Sequence, residues 1–378
     1  MKNKELRKYT ERGVREGAKL HVMDAEFPDL LTVLYAINGK KQDNVADRLE
    51  RLSPKLSPAT AVVDIDNPEE AKKLEASKYK LIVNKHGLSY IRNLNQLLNT
   101  FNDVLPDGGY LWCHTRTSAL KRQNLLNACP GIRGKLWSIH YYIWHRVCPK
   151  LYTTKWFYMW VTGGKNRSYP RSEILGRICR AGFDIVDERF SMGEFYVLCR
   201  KAREPRRYKA RHYGPIIKLH RVGYKGKQIG VYKFRSMYAY SEYLQPYLME
   251  HEGLAKGGKY YHDYRINFWG RQFRNRMIDE FPMIINIFKG EMKLVGVRPL
   301  SRPYFELYTP EMQEMHISVK PGLLPPFYYE GKTPETLEEI QESEKRYIEA
   351  YKKHPFLTDW RYFWGIVGNV IFKRKRSH

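Results

Sequence analysis

Two carboxylates stand side by side in RMIDEFPMIINIFKGEMKLVGVRP, at Asp279 and Glu280. Neighbouring carboxylates can do three kinds of work. One can attack an electrophile such as phosphorus, the pair can hold a divalent cation, or both can stabilise the start of a helix. Nearby cations bear on the choice, because an anion approaches a phosphate only where other charges neutralise it. Arg274 lies just upstream and Arg298 just downstream. Lys233 and Arg235, in YKFRSM, fall two residues apart, so an extended strand presents both on one face. There Arg offers a planar fork to a diphosphate and Lys a point charge. The plainer alternative is a solvated basic face and an acidic helix start.

These side chains need elements to hold them. Pro282 suits the first turn of a helix, Ile284, Ile285, Ile287 and Phe288 supply apolar mass, and Lys289-Gly290 supplies a stop. The spacing therefore predicts a helix from about Pro282 with both carboxylates at its N-terminus, where the helix dipole favours their ionised forms. GPIIKLHRVGYKGKQIGVYKFRSM reads as a β-hairpin turning at Tyr224–Gly226, its second strand delivering Lys233 and Arg235.

The first half has a different rhythm. TAVVDI, YKLIVN and GGYLWCHT read as buried strands, with a helix between the last two carrying Leu88, Ile91, Leu94, Leu97 and Leu98 on one face. A further helix opens near Ser168 and Pro170 and stops at Gly182. FDIVDERF and EFYVLCRK form a hairpin around Met192-Gly193. Such alternation predicts an α/β sheet. The basic stretch KAREPRRYKARHYG is the expected linker, dividing the chain into domains over 1–204 and 205–378.

The formal balance over 378 residues is 66 Lys+Arg minus 40 Asp+Glu, or +26, which predicts polyanionic partners: nucleic acid, anionic lipid or phosphorylated small molecules. Aromatics make up 14% and many sit beside basic residues, a mixture that also suits a membrane surface. Five cysteines without CxxC spacing read as reduced thiols, and the charged N-terminus lacks a signal-peptide core. No apolar run reaches the roughly 18 residues of a spanning helix, so the expected location is cytosolic or peripheral. Two segments suit an interface. In KLWSIHYYIWHRVCPKLYTTKWFYMWV, Trp137, Tyr141, Trp144 and Cys148 share a helical face among basic residues. In WRYFWGIVGNVIFKRKR, Trp360, Phe363, Trp364, Val367, Val370 and Ile371 form a stripe ahead of four cations. Each reads either as an interfacial helix or as ordinary packing. The histidines, His86, His114, His220 and His316 among them, show no ligand spacing.

YKFRSM, RQFRNRMIDEFP, NIFKGEMKLVGVRP and VKPG, in this order over roughly 212 to 372, resemble the bacterial sugar transferases, the monotopic polyprenyl-phosphate phosphoglycosyltransferases. The resemblance implies a compact α+β catalytic domain with amphipathic helices and no transmembrane span. It implies transfer of a sugar-1-phosphate from a UDP-sugar to polyprenyl (undecaprenyl) phosphate, through a phosphosugar carried on an aspartate. Asp279 would be the nucleophile, Glu280 its metal-binding or acid/base partner, and both would hold Mg²⁺. Lys233, Arg235, Arg274 and Arg298 would bind the substrate phosphates and nucleotide. The partners implied are UDP-sugar, polyprenyl phosphate and an anionic membrane surface, at the cytoplasmic face of a bacterial inner membrane, in a peripheral or monotopic mode. No nucleic acid is expected, since adjacent carboxylates at a basic centre serve it poorly. The sequence departs from the family pattern at Arg276, Met283 and Val297, and lacks the apolar re-entrant helix ahead of the hairpin. Separately, PDGGYLW, RAGFDIVDERF and FYVLCRK resemble the closing half of a Rossmann-type methyltransferase, without an evident glycine-rich loop, which implies a degenerate α/β domain. The alternatives are a non-catalytic scaffold binding lipid or nucleic acid, and a methyltransferase acting through the N-terminal domain.

Overall fold

The computed structural model describes residues 56–191, 193–207, 213–251, 263–331, 334 and 336–369. The chain divides into two compact units, Met1–His212 with Ala239–His251, and Tyr213–Tyr238 with Glu252–His378. Met192, Val370, Ile371 and the basic end after them lie outside the described residues.

In the first unit, β1 (Thr60–Val63), β2 (Leu81–Asn84), β3 (Tyr110–Thr115), β4 (Phe183–Ser191) and β5 (Glu194–Lys201) form one sheet in the order β1-β2-β3-β5-β4. β1, β2 and β3 pair in parallel, and β5 runs antiparallel between β3 and β4. All of β2, LIVN, is buried, as expected of a strand covered on both faces. Buried Asn84 at its end accepts from Ile65 N–H at 3.0 Å and donates to Ile65 O at 3.1 Å, tying down the chain that leaves β1.

Helix α1 (Leu94–Val104) buries Leu94, Leu97, Leu98 and Phe101 on one face. The helix expected from Leu88 is interrupted: Leu88–Tyr90 is a 3₁₀ turn and Ile91 is extended. Arg167 takes the carbonyls of Ile91 and Arg92 at 2.8 and 2.6 Å, acceptors that a continuous helix would have used. Next come α2 (Ser118–Ala128), α3 (Ile132–Tyr142) and α4 (Tyr152–Thr162). Helix α5 (Arg171–Arg180) starts behind Pro170 and is followed by Gly182 at φ +89°. The segment 239–251, ending in α6 (Gln245–His251), packs on α5. A Cβ at Gly176 would lie 2.2 Å from Tyr240 O, so this approach requires glycine.

The second unit opens with the hairpin β6 (Ile216–Val222) and β7 (Gln228–Phe234), joined through a 3₁₀ turn at Tyr224–Gly226. Then follow α7 (Phe268–Asn275), a 3₁₀ turn at Ile278–Met283, and α8 (Ile284–Phe288). β8 (Lys293–Val295) pairs in parallel with β9 (Gly322–Leu324), flanked by α9 (Pro310–Ile317), α10 (Leu337–Lys353) and α11 (Pro355–Val367). α10 is capped by Thr336, carries Glu338 and Glu339 in its first turn and Lys352 and Lys353 in its last, all complementary to its dipole. The core gathers Val295, Val297, Leu300, Tyr347, Ile348 and Ile366. The α11 stripe is split: Phe363 packs against this core, while Trp360 and Trp364 stay exposed. No helix of the described residues is long and apolar enough to cross a membrane.

Candidate active site

Three elements of the second unit meet around the paired carboxylates: strand β7, helix α7 and the turn Ile278–Met283. Met277 makes the entry. It adopts φ +59°, a left-handed conformation uncommon for a residue with a side chain, and reverses the chain out of α7. Asp279 and Glu280 then occupy the first turn of the 3₁₀ segment. This corrects the expected helix: Pro282 lies inside the 3₁₀ turn, and the α-helical part starts only at Ile284. The residues that supply the apolar mass divide between inside and outside. Pro282, Met283 and Asn286 are buried, whereas Phe281, Ile285 and Phe288 are exposed.

Asn286 is the residue that sequence reasoning missed. Its Oδ1 accepts from Tyr232 N–H at 3.0 Å, and its Nδ2 donates to Gly230 O at 2.8 Å and to Glu291 at 2.6 Å. It thereby pins α8 to the hairpin and sets the distance between Lys233 and the carboxylates. A lone amide among isoleucines was its only signal.

The two carboxylates are treated differently. Glu280 Oε1 accepts from Lys233 Nζ at 2.6 Å, a charge-assisted pair about four-fifths buried on both sides. Asp279 is in no ion pair among the described residues, and its own backbone amide is a hydrogen-bond donor to it. Burial raises its pKa above the ordinary aspartate value; the Lys233 ammonium and the Arg274 guanidinium lower it, and Glu280 adds to the rise. The helix start therefore does not hold Asp279 below its usual range, because loss of water outweighs the cations. Arg274 is itself lowered by burial, partly offset by Asp279 and Asp263. Its Nε donates to Ser236 Oγ at 2.8 Å. α7 comes close enough for this because Gly270 sits against Ser236, where a Cβ would lie 1.9 Å from the carbonyl oxygen.

The other cations lie elsewhere. Arg235 falls just beyond β7; its Nε donates to Gly214 O at 2.9 Å and its guanidinium lies 5.0 Å from the Tyr213 ring centroid. Arg298 belongs to the other end of the hairpin. Val222 N–H donates to Leu300 O at 2.8 Å, and Glu344 accepts from Arg298 N–H at 3.1 Å while also accepting from His316 at 2.9 Å. Arg221, lowered by burial and by the nearby Arg298 charge, pairs in register with Ile229, four residues before Lys233. At about 3.3 Å per residue that is roughly 13 Å along the strand. A cleft of about 530 Å³ lined by His220, Arg221, Gln228, Ser301 and Arg302 opens at this end. The arrangement thus offers one half-buried carboxylate, Asp279, with Lys233, Glu280 and Arg274 around it, and a separate basic cleft farther along the hairpin.

A divalent cation fits the first of these places. Among the described residues no group of three or more His, Cys, Asp or Glu converges on a metal site. Mg²⁺ usually takes one or two carboxylates and completes its shell with water and substrate phosphate, which matches an adjacent pair.

Comparison with known proteins gives a match for each of the two regions. Residues 207–373 match the bacterial sugar transferase family, and residues 13–188 match a methyltransferase domain family. Relatives include the undecaprenyl-phosphate galactose phosphotransferase of Salmonella typhimurium, 37% identical over 116 residues, covering 29% of this chain and 24% of that protein. Another is the galactosyl transferase CpsE of Streptococcus agalactiae, 34% identical over 141 residues, covering 36% and 31%. The chain thus spans about a quarter to a third of these two relatives. An O-methyltransferase family protein from Burkholderia thailandensis has a solved structure covering 42% of this chain and 47% of that one, at 13% identity and a TM-score of 0.25, too low to carry an argument.

Proposed function

We propose that the protein transfers a sugar-1-phosphate from a UDP-sugar to polyprenyl phosphate, with Asp279 carrying the phosphosugar between two half-reactions. The observation that carries this reading is the contrast between Glu280, paired with Lys233, and half-buried Asp279, which is in no ion pair among the described residues. An ionised carboxylate that is poorly solvated and not tied up in an ion pair is a competent nucleophile. In the first half-reaction Asp279 Oδ bonds to the β-phosphorus. The bond from that phosphorus to the bridging oxygen breaks, and UMP departs with its electron pair. In the second, an oxygen of polyprenyl phosphate bonds to the same phosphorus and the Asp279 carboxylate leaves, giving polyprenyl-diphosphate sugar. Lys233 and Arg274 face the growing negative charge on the phosphoryl oxygens. Asp279 and Glu280, the latter hydrogen-bonded to Lys233, are the residues that would hold Mg²⁺, which would supply charge neutralisation for the phosphoryl group.

The acceptor is a membrane lipid, so the site works at a bilayer surface, on this reading the cytoplasmic face of a bacterial inner membrane. The products would begin lipid-linked assembly of an exopolysaccharide, capsule or O-antigen. The test is UMP release from a panel of UDP-sugars with Mg²⁺ and undecaprenyl phosphate. Asp279→Asn should reduce it by at least about 10³-fold. Unaltered turnover in that variant eliminates the nucleophile.

A further inference from the structure

Helices α3 and α4 of the first unit are inverted relative to ordinary packing. A helix at a protein surface normally turns its large apolar residues inward. On α3 the buried positions are Gly134 and Ser138, while Ile132 (75% exposed), Leu136, Trp137 and Ile139 face out. On α4 only Tyr158 is buried, while Trp156 (74%), Trp160 (71%), Phe157 and Val161 are exposed. Trp156 and Trp160 stack in parallel, their ring centroids 6.4 Å apart. The pair is nevertheless firmly seated at its base. Arg146 and Lys150, between the helices, both reach buried Glu173 of α5, and Tyr158 donates to Lys165 O at 3.0 Å. The outward apolar face is thus held by the fold.

Charge identifies what covers it. From Gly108 to Ser172 the sequence contains no Asp or Glu, while Lys and Arg recur through it. Arg133, Lys135 and Lys155, on the two helices, are exposed among the apolar side chains. A second copy of this face would bring cations against cations. A single-stranded nucleic acid would use the rings but gain nothing from Ile132, Leu136, Ile139 and Val161. Apolar and aromatic side chains at headgroup depth, flanked by cations and free of carboxylates, match an anionic lipid surface. α4 has 11 residues, and α3 continues as π and 3₁₀ turns to Lys150 with Arg133, Lys135, Arg146 and Lys150 along it. No helix of the described residues is long and apolar enough to span a bilayer, and both suit lying in its plane.

We infer that α3 and α4 of the N-terminal unit form an interfacial docking surface for anionic bilayers, with the rings of Trp156 and Trp160 inserted at headgroup level. The inference does not depend on the catalytic reading.

The test uses the full chain and vesicles of phosphatidylglycerol and phosphatidylcholine whose acyl chains are brominated. Lipid bromines should quench the wild-type tryptophan emission, and Trp156→Phe/Trp160→Phe should lose at least half of that quenching. Leu136→Glu/Trp156→Glu, both at exposed positions, should keep the wild-type melting temperature and float with these vesicles at least tenfold less. Pure phosphatidylcholine should capture the wild type about tenfold less than the mixed vesicles. Quenching unchanged in the Phe variant overturns the inference. So does a change of oligomeric state in the Glu variant, or single-stranded RNA that binds this face and is not displaced by vesicles. UMP release from a soluble UDP-sugar, measured without vesicles, reports separately on the catalytic reading.

Discussion

The two units both place acidic side chains at prominent positions, but they treat them in opposite ways. In the first unit Asp66, after β1, meets Lys165 at 2.9 Å, and Glu194, at the start of β5, is held by both His114 and Arg116. Burial, the largest influence, works against protonation of His114, yet its contacts with Glu194 raise it above the ordinary histidine value. These acids have their counter-charges built in. In the second unit Glu280 is paired in the same manner, but Asp279 beside it is not. The difference separates structural charge from reactive charge. Glu280 has its position fixed by the Lys233 cation, whereas Asp279, in no ion pair among the described residues, keeps acceptor capacity for a ligand at some cost to the fold.

Exchanging roles between the two sites is the strongest way to break this contrast. Asp279→Asn should abolish UMP release, while Glu194→Gln should leave it within about twofold and instead lower stability by about 1–3 kcal/mol in urea titrations. The reverse pattern would move the reactive site to the first unit. Asp279→Asn should also raise the urea midpoint slightly. Its carboxyl pKa is raised in the fold, so above the unfolded-state pKa the buried charge costs stability, a cost that disappears as pH falls below that value. A loss of turnover in this variant would then not be unfolding.

A smaller effect sharpens the role of the cations. Lys233→Met should lower turnover by about 10²-fold. It should also move the acid limb of the pH–rate profile. In the wild type that limb should lie above the ordinary aspartate value of about 3.9, because protonation of Asp279 removes the nucleophile and its pKa is raised. Without the Lys233 charge, which pulls that pKa down, the limb should move further up. A limb that stays in place would detach Lys233 from Asp279. The smallest effect concerns scaffolding: Asn286→Ala should cost about 1–3 kcal/mol by leaving Tyr232 N–H and Gly230 O without their partner.

Much of this was legible in the residues. Each apolar run carries a strand, starting as read at Thr60, Phe183 and Glu194 and two residues later than the run for β2, β3 and β6, and the YKG turn joins β6 to β7. Lys233 and the carboxylates stood out in the sequence as basic and acidic residues at an apolar junction, and the structure brings Lys233 and Glu280 to 2.6 Å. What was hidden came from contacts distant in sequence. Arg167 breaks the helix expected from Leu88 by capturing two carbonyls 75 and 76 positions away. Strand period put Lys233 and Arg235 on one face, but β7 ends at Phe234 and Arg235 turns to Gly214 and Tyr213. Arg298 is close to Asp279 along the chain, yet Glu344 and the Val222–Leu300 bond hold its backbone at the other end of the hairpin. Asp279 itself was expected to be favoured as an anion by a helix tip; burial, which no local pattern reveals, reverses the direction.

The central claim is that Asp279 carries the phosphosugar, and the direct measurement is mass spectrometry of the protein after exposure to a UDP-sugar with Mg²⁺ and no lipid acceptor. The account predicts one phosphosugar per chain, located on the peptide containing Asp279, appearing with stoichiometric UMP and discharged when undecaprenyl phosphate is added. UMP release and lipid-linked product formed with no adduct under rapid quench, or an adduct on another residue, would contradict it.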